Sequence, residues 1–152
     1  MRKLLLASAV SLLISTTAYA EDIKLGIIFG FTGPIESLTP DMAKGTEAAI
    51  AEVSASGALL NGSTVTGIRA DSTCVDSAVA TANAEKLITS DKVSGIIGAD
   101  CSGVTGAILA NVARANGMVM ISPSATSPGL STAEDDGLFF RTAPSDARQG
   151  QI

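Results

Sequence analysis

SGIIGADCSGVTGAILANVARANGMVMISPSAT, residues 94–126, writes one device twice: a short apolar run that ends in hydroxyl-bearing residues. Gly95-Ile96-Ile97-Gly98 leads into Asp100-Cys101-Ser102, and Met118-Val119-Met120-Ile121 leads into Ser122-Pro123-Ser124-Ala125-Thr126. Between them Val104, Ala107, Ile108, Val112 and Ala115 recur at helical spacing, and Asn116-Gly117 supplies the stop. Strand, helix and strand in that order make a parallel pair with a right-handed crossover. Open parallel sheets bind small molecules in the crevice beyond the carboxyl ends of their strands. The two hydroxyl runs therefore predict one site for a small polar ligand.

Toward the amino terminus, residues 23–29 read as an apolar strand and Gly30-Phe31-Thr32-Gly33-Pro34 as a loop. Thr39-Pro40-Asp41 then offers an N-cap, a first-turn proline and an early acid, and Met42, Ala49, Ile50 and Val53 continue at helical spacing to Gly57. Asn61-Gly62 turns the chain into a second strand at residues 65–71, and Asp76 opens a helix carrying Val79, Ala82, Leu87 and Ile88. Toward the carboxyl terminus, Phe139-Phe140-Arg141 reads as a short fifth strand and Pro144-Ser145-Asp146 as a helix start. Strands that are apolar nearly throughout, alternating with helices, define an α/β fold: an open parallel sheet with helices on both faces.

Residues 1–20 have the form of an export signal, with Arg2 and Lys3, an apolar run to Ile14, and Ala18-Tyr19-Ala20 at the cleavage position. The apolar run is shorter than the roughly 20 residues a bilayer requires. Residues 21–152 are then one exported domain, and loss of Arg2 and Lys3 moves the formal charge from −5 to about −7. Such a surface, without a Lys/Arg cluster, disfavours nucleic acid as a partner. Trp is absent and the one Tyr lies in the signal, which leaves Phe29, Phe31, Phe139 and Phe140 as the aromatic residues. Stacking platforms for bases or sugars are correspondingly scarce.

Cys74 and Cys101 are the two cysteines, each just after a predicted strand. An even count in an exported chain favours a disulfide over two buried thiols, and the strand ends lie within bridging reach if the strands are neighbours. The chain has no His, which removes the commonest general base and metal ligand. G-x-S-x-G, S-x-x-K and Walker A patterns are absent, and Gly26, Gly30 and Gly33 lack dinucleotide spacing. Asp71, Asp76 and Asp100 read as caps and loop acids. No cofactor, metal or catalytic apparatus is expected. Ser102 sits where an N-cap belongs, a position that favours an anionic ligand group. Alone it could be only a cap, and residues 122–126 only a turn; their joint position on successive strand ends favours the ligand reading over cap and turn.

At these residues the chain resembles the periplasmic leucine/isoleucine/valine-binding proteins, receptors of ATP-driven importers. The likeness runs through Ile23-Lys24-Leu25-Gly26, Thr32-Gly33-Pro34, Lys92-Val93, Ile96-Ile97-Gly98, residues 121–128, Phe140-Arg141-Thr142 and Pro144-Ser145-Asp146. It departs at Glu36-Ser37-Leu38-Thr39-Pro40, where the family has a small, Gly-containing run. The resemblance implies the first of two α/β lobes that close over a solute. It implies that Ser102 bonds the ligand α-carboxylate, that the Ser124 carbonyl receives the α-ammonium, and that the Thr126 hydroxyl contacts the same head. It also matches Cys74 and Cys101 to a family disulfide. The expected function is a non-enzymatic receptor for branched-chain or related amino acids that serves an inner-membrane ABC importer permease. The alternatives are a receptor for amides, urea or aromatic acids, and an exported sensor domain.

Overall fold

The computed structural model describes residues 20–151, so the predicted signal lies outside the described residues apart from Ala20. Its elements are β1 (Asp22–Phe29), α1 (Thr39–Ala55), β2 (Thr64–Asp71), α2 (Ser77–Thr89), β3 (Gly95–Gly98), α3 (Ser102–Ile108), β4 (Met120–Ser122) and β5 (Phe139–Arg141). All strand pairs are parallel, in the order β2-β1-β3-β4-β5. The α3 helix runs on through a wide turn at Leu109–Ala113 and a tight one at Arg114–Asn116. Gly117, at φ 62°, ends it in the left-handed conformation that glycine adopts without strain.

The register follows from apolar side chains that must face alternate layers. Ile28, Ile96, Met120 and Phe139 pack with Ala80, Ala84 and Leu87 of α2 and Val104 and Ile108 of α3. Ile27 and Phe29 point the other way, onto Ala43 of α1, with Met42, Ile50 and Ile97 beside them. The predicted open parallel sheet with helices on both faces is thus present, but the faces are unequal. Right-handed connection places α1 in front as the chain steps from β1 to β2. Every later step, from β2 to β3, β4 and β5, runs in the opposite direction and puts its connection behind. Among the described residues no helix covers the front of β3–β5, and Ile121 and Phe140 are 43% and 54% exposed there. An open apolar cavity of about 330 Å³ adjoins it, lined by Leu25, Ala49, Ile50, Val53 and Ile97 among others.

Helix starts show where side-chain preference meets tertiary demand. Asp76 caps α2 as predicted, its carboxylate accepting the amides of Ala78 and Val79 at 2.9 and 3.1 Å. Thr39 does not cap α1: the N-cap position is Leu38, with no side-chain bond. The Thr39 hydroxyl is buried and donates instead to the Gly30 carbonyl at 2.9 Å, satisfying a group exposed where β1 ends. β4 begins two residues later than its apolar run, at Met120, because Met118 pairs back onto the end of the preceding helix through Ala113.

The two faces predict opposite mutational behaviour. Leu87→Ala removes a side chain that is 1% exposed within the core behind the sheet; it should cost about 2–5 kcal/mol. Ile121→Ser on the bare front should change stability by no more than about 0.5 kcal/mol. Urea denaturation of the two variants of the 152-residue chain measures the contrast.

Candidate ligand-binding site

Parallel register brings the strand ends level. Phe29 stands opposite Asp71 and Ile28 opposite Gly98, so the chain just beyond β1, β2 and β3 presents Gly30, Ser72 and Asp100 side by side. Gly98, at φ +133°, lies so close to β1 that a Cβ there would sit 2.2 Å from the Ile28 carbonyl oxygen. Asp100 is 3% exposed, and its carboxylate accepts the Gly30 amide at 2.7 Å, the Ser72 hydroxyl at 3.0 Å and the Cys101 amide at 2.9 Å. Beside it, Cys74 and Cys101 form the disulfide, with Cα atoms 5.2 Å apart and a sequence separation of 27. Closing a loop of that length contributes roughly 3–4 kcal/mol on the chain-entropy view.

Ser102 is not the N-cap. That position belongs to Cys101, whose carbonyl already accepts the Thr105 amide at 3.0 Å, so the helix begins one residue earlier than Ser102 as a cap would require. With no capping duty, the Ser102 oxygen accepts the Ser127 amide at 3.0 Å, joining α3 to the loop after β4. Ser122 fastens the same loop by accepting the Ala125 amide at 2.9 Å and donating to the Ala99 carbonyl. The Ser124 hydroxyl donates to the Asp100 carbonyl at 3.0 Å.

Thr126 is tied to the segment after β5. Its hydroxyl donates to the Asp146 carboxylate at 2.7 Å, and its carbonyl accepts the Asp146 amide at 3.0 Å. Arg141 occupies the carbonyls of Ala125 and Ser127 at 3.2 and 2.9 Å. In the run 124–127, therefore, the Ser124 carbonyl and the Thr126 amide are the backbone groups without a partner among the described residues. An open cavity of about 420 Å³ lies against Thr126 and is lined by Pro144, Ser145, Asp146, Arg148 and Gln149.

A hydroxyl has one hydrogen to give. Ser102 accepts from Ser127 and its own hydrogen is unspent among the described residues, whereas Thr126 has given its hydrogen to Asp146 and retains a lone pair. The two hydroxyls thus differ in polarity. Sequence reasoning named both but missed Asp146 and the Thr126 amide, whose parts depend on a bond between residues 20 positions apart. It also read Asp100 as a loop acid. The only signal against that reading was its place directly after a buried strand.

Among the described residues, no group of three or more His, Cys, Asp or Glu is placed to hold a metal ion. Asp71 links the loops after β1 and β2. Burial raises its pKa, but the Thr32 hydroxyl and the amides of Thr73, Thr32 and Phe31 outweigh that and hold the carboxyl below its ordinary value. On the surface, Arg69 lowers Glu47 through a two-pronged ion pair, and Arg114 lowers Asp136.

A model of the periplasmic binding protein family matches residues 22–151, and the chain belongs to that family. The Leu/Ile/Val/Thr-binding protein of Salmonella typhimurium (strain LT2) is 34% identical over 148 residues, which are 97% of this chain and 39% of that protein. Among solved structures, the chain is similar to the branched-chain amino acid transporter substrate binding protein LivJ of Streptococcus pneumoniae in complex with isoleucine. The TM-score there is 0.74 and the identity 31%, over 84% of this chain and 35% of that one. A substrate-binding protein of Desulfitobacterium hafniense in complex with Leu gives a TM-score of 0.71 at 28% identity, over 85% and 37%. The chain thus spans about two fifths of the length of the relatives it matches.

Acid should loosen the loop around Asp71 once that carboxyl is protonated, below the usual carboxylate range. A carboxyl whose pKa is lower folded than unfolded stabilises the fold fully above about pH 4 and loses that contribution as pH falls through its folded value. Asp71→Asn should therefore be less stable than the parent at pH 7 and show a flatter decline between about pH 5 and pH 2. Melting curves across that range give the comparison.

Proposed function

We propose that the chain is the head-group-binding lobe of a periplasmic receptor for a free α-amino acid, handed on to an ATP-driven importer in the inner membrane. The observation that carries this reading is the opposite polarity of Ser102 and Thr126 at the strand ends. A zwitterion needs both a donor and an acceptor. The Ser102 hydroxyl and the Thr126 amide supply donors to a carboxylate, and the Ser124 carbonyl and Thr126 oxygen supply acceptors to an ammonium. The acceptors would be idle against an aromatic acid, which favours an amino acid over that alternative. The relatives that carry isoleucine and leucine support a branched aliphatic side chain. Action is by binding, without catalysis, in keeping with a sequence that has no His.

A ligand held only by its head from one wall is loosely bound, because tight small-molecule sites bury most of the ligand surface. The relatives are more than twice as long as this chain, and the additional length would supply the second wall. Residues 21–152 alone should accordingly bind leucine more weakly than micromolar in calorimetry.

In the full-length protein, Ser102→Ala and Thr126→Val should each weaken amino-acid binding ten- to hundredfold, about 1.5–3 kcal/mol for a hydrogen bond to a charged group. Their selectivity should differ: Ser102→Ala penalises leucine and its des-amino acid, 4-methylpentanoate, alike, while Thr126→Val penalises leucine more. Isothermal titration with both ligands tests the reading, and unchanged affinities in both variants would remove the site from this crevice.

A further inference from the structure

We infer that Asp100 is the positioning residue of this site: its buried carboxylate sets the geometry of Ser102, and its backbone carbonyl that of Ser124, without touching ligand. The inference rests on the ligand site proposed above. Three donors from three separate stretches converge on the carboxylate, namely the Gly30 amide after β1, the Ser72 hydroxyl after β2 and the Cys101 amide at the cap of α3. Gly30 is also held from its carbonyl side by Thr39, so the chain of bonds reaches the start of α1. The Asp100 carbonyl in turn receives the Ser124 hydroxyl. One residue thereby fixes the chain just beyond four strands.

No Lys or Arg pairs with this carboxylate among the described residues. Taking an acid out of water without a cation is costly, and hydrogen bonds from three donors are what offset it. Such an arrangement is a poor source of stability compared with apolar packing, but it has sharp directional demands. Oδ1 receives Ser72 and Cys101 while Oδ2 receives Gly30. The Cys101 bond fixes the peptide that enters α3, and so the direction in which Ser102 leaves it. The bond from Ser124 fixes the residue whose free carbonyl faces the ligand. Neither role needs the carboxylate to reach the crevice.

Asp100→Asn tests this with almost no change of shape. An amide can satisfy either Gly30 or the Cys101 amide with its oxygen, but in each orientation its NH2 meets the other N–H. In ligand-free full-length protein, amide NMR resonances of Gly30, Cys101, Ser102 and Ser124–Ser127 should move, while those of α1 beyond its first turn stay in place. Leucine affinity, measured well below the melting temperature of the variant, should fall at least tenfold. Ser124→Ala should weaken binding too, and the double variant should lose less than the product of the two single losses, because both act through one strap. Resonances of Gly30, Cys101, Ser102 and Ser124–Ser127 that stay in place, or a folded Asp100→Asn with parental affinity, would overturn the inference. If Asp100→Asn does not fold, Ser72→Ala removes one donor and keeps the carboxylate; the same resonances should shift by less, and their failure to shift overturns it equally. A parent protein that binds no amino acid would refute the ligand reading while the ligand-free spectra still judged Asp100.

Discussion

Everything at the crevice depends on β1 being paired on both sides in parallel register. Because Phe29 is level with Asp71 and Ile28 with Gly98, three loops distant in sequence emerge abreast. A slip of two residues in either pairing would keep every side chain on its proper face, yet it would carry Gly30 or Ser72 out of reach of Asp100. The hydrophobic pattern alone therefore underdetermines the site. The remaining specification comes from short-range devices at the strand ends: the close approach of Gly98 to Ile28, the disulfide, and the polar contacts around Asp100.

This division explains what could be read from the sequence. Apolar runs located all five strands, β3 to within one residue of its observed limits of Gly95–Gly98, because a strand covered by helices needs little beyond apolar character to be recognised. Asp76 was legible as a cap because its partners lie two and three residues away. Thr39 and Ser102 were misread as caps for the opposite reason: their partners, Gly30 and Ser127, are 9 and 25 positions distant. The location of the proposed site was visible in its hydroxyl residues. The direction in which each hydroxyl bonds was not, since Thr126 takes its polarity from Asp146.

The hydroxyls around the crevice are individually weak groups, and their value lies in having been committed in advance. A free serine or threonine side chain rotates among several partners, donating in one rotamer and accepting in another. Here the loop after β4 is fastened by Ser122, Ser102 and Arg141, which leaves a small set of groups with unspent capacity. Fixing orientation before a ligand arrives reduces the ordering cost of binding. The same commitments limit adaptability, because a ligand with the wrong charge pattern would have to break bonds within the protein.

The strand order has a consequence for how the molecule comes into being. β1 is the first strand to leave the ribosome, yet it lies inside the sheet, and one of its neighbours, β3, begins only at Gly95. Until that segment emerges, the apolar run Ile27-Ile28-Phe29 has one open backbone edge, the kind of template on which chains associate wrongly. Long-range parallel pairing is also slow to form. The earliest part of the chain is therefore the one with the longest wait for its final partner, and synthesis in the cell would place the greatest demand on protective chaperones at the beginning of the sequence.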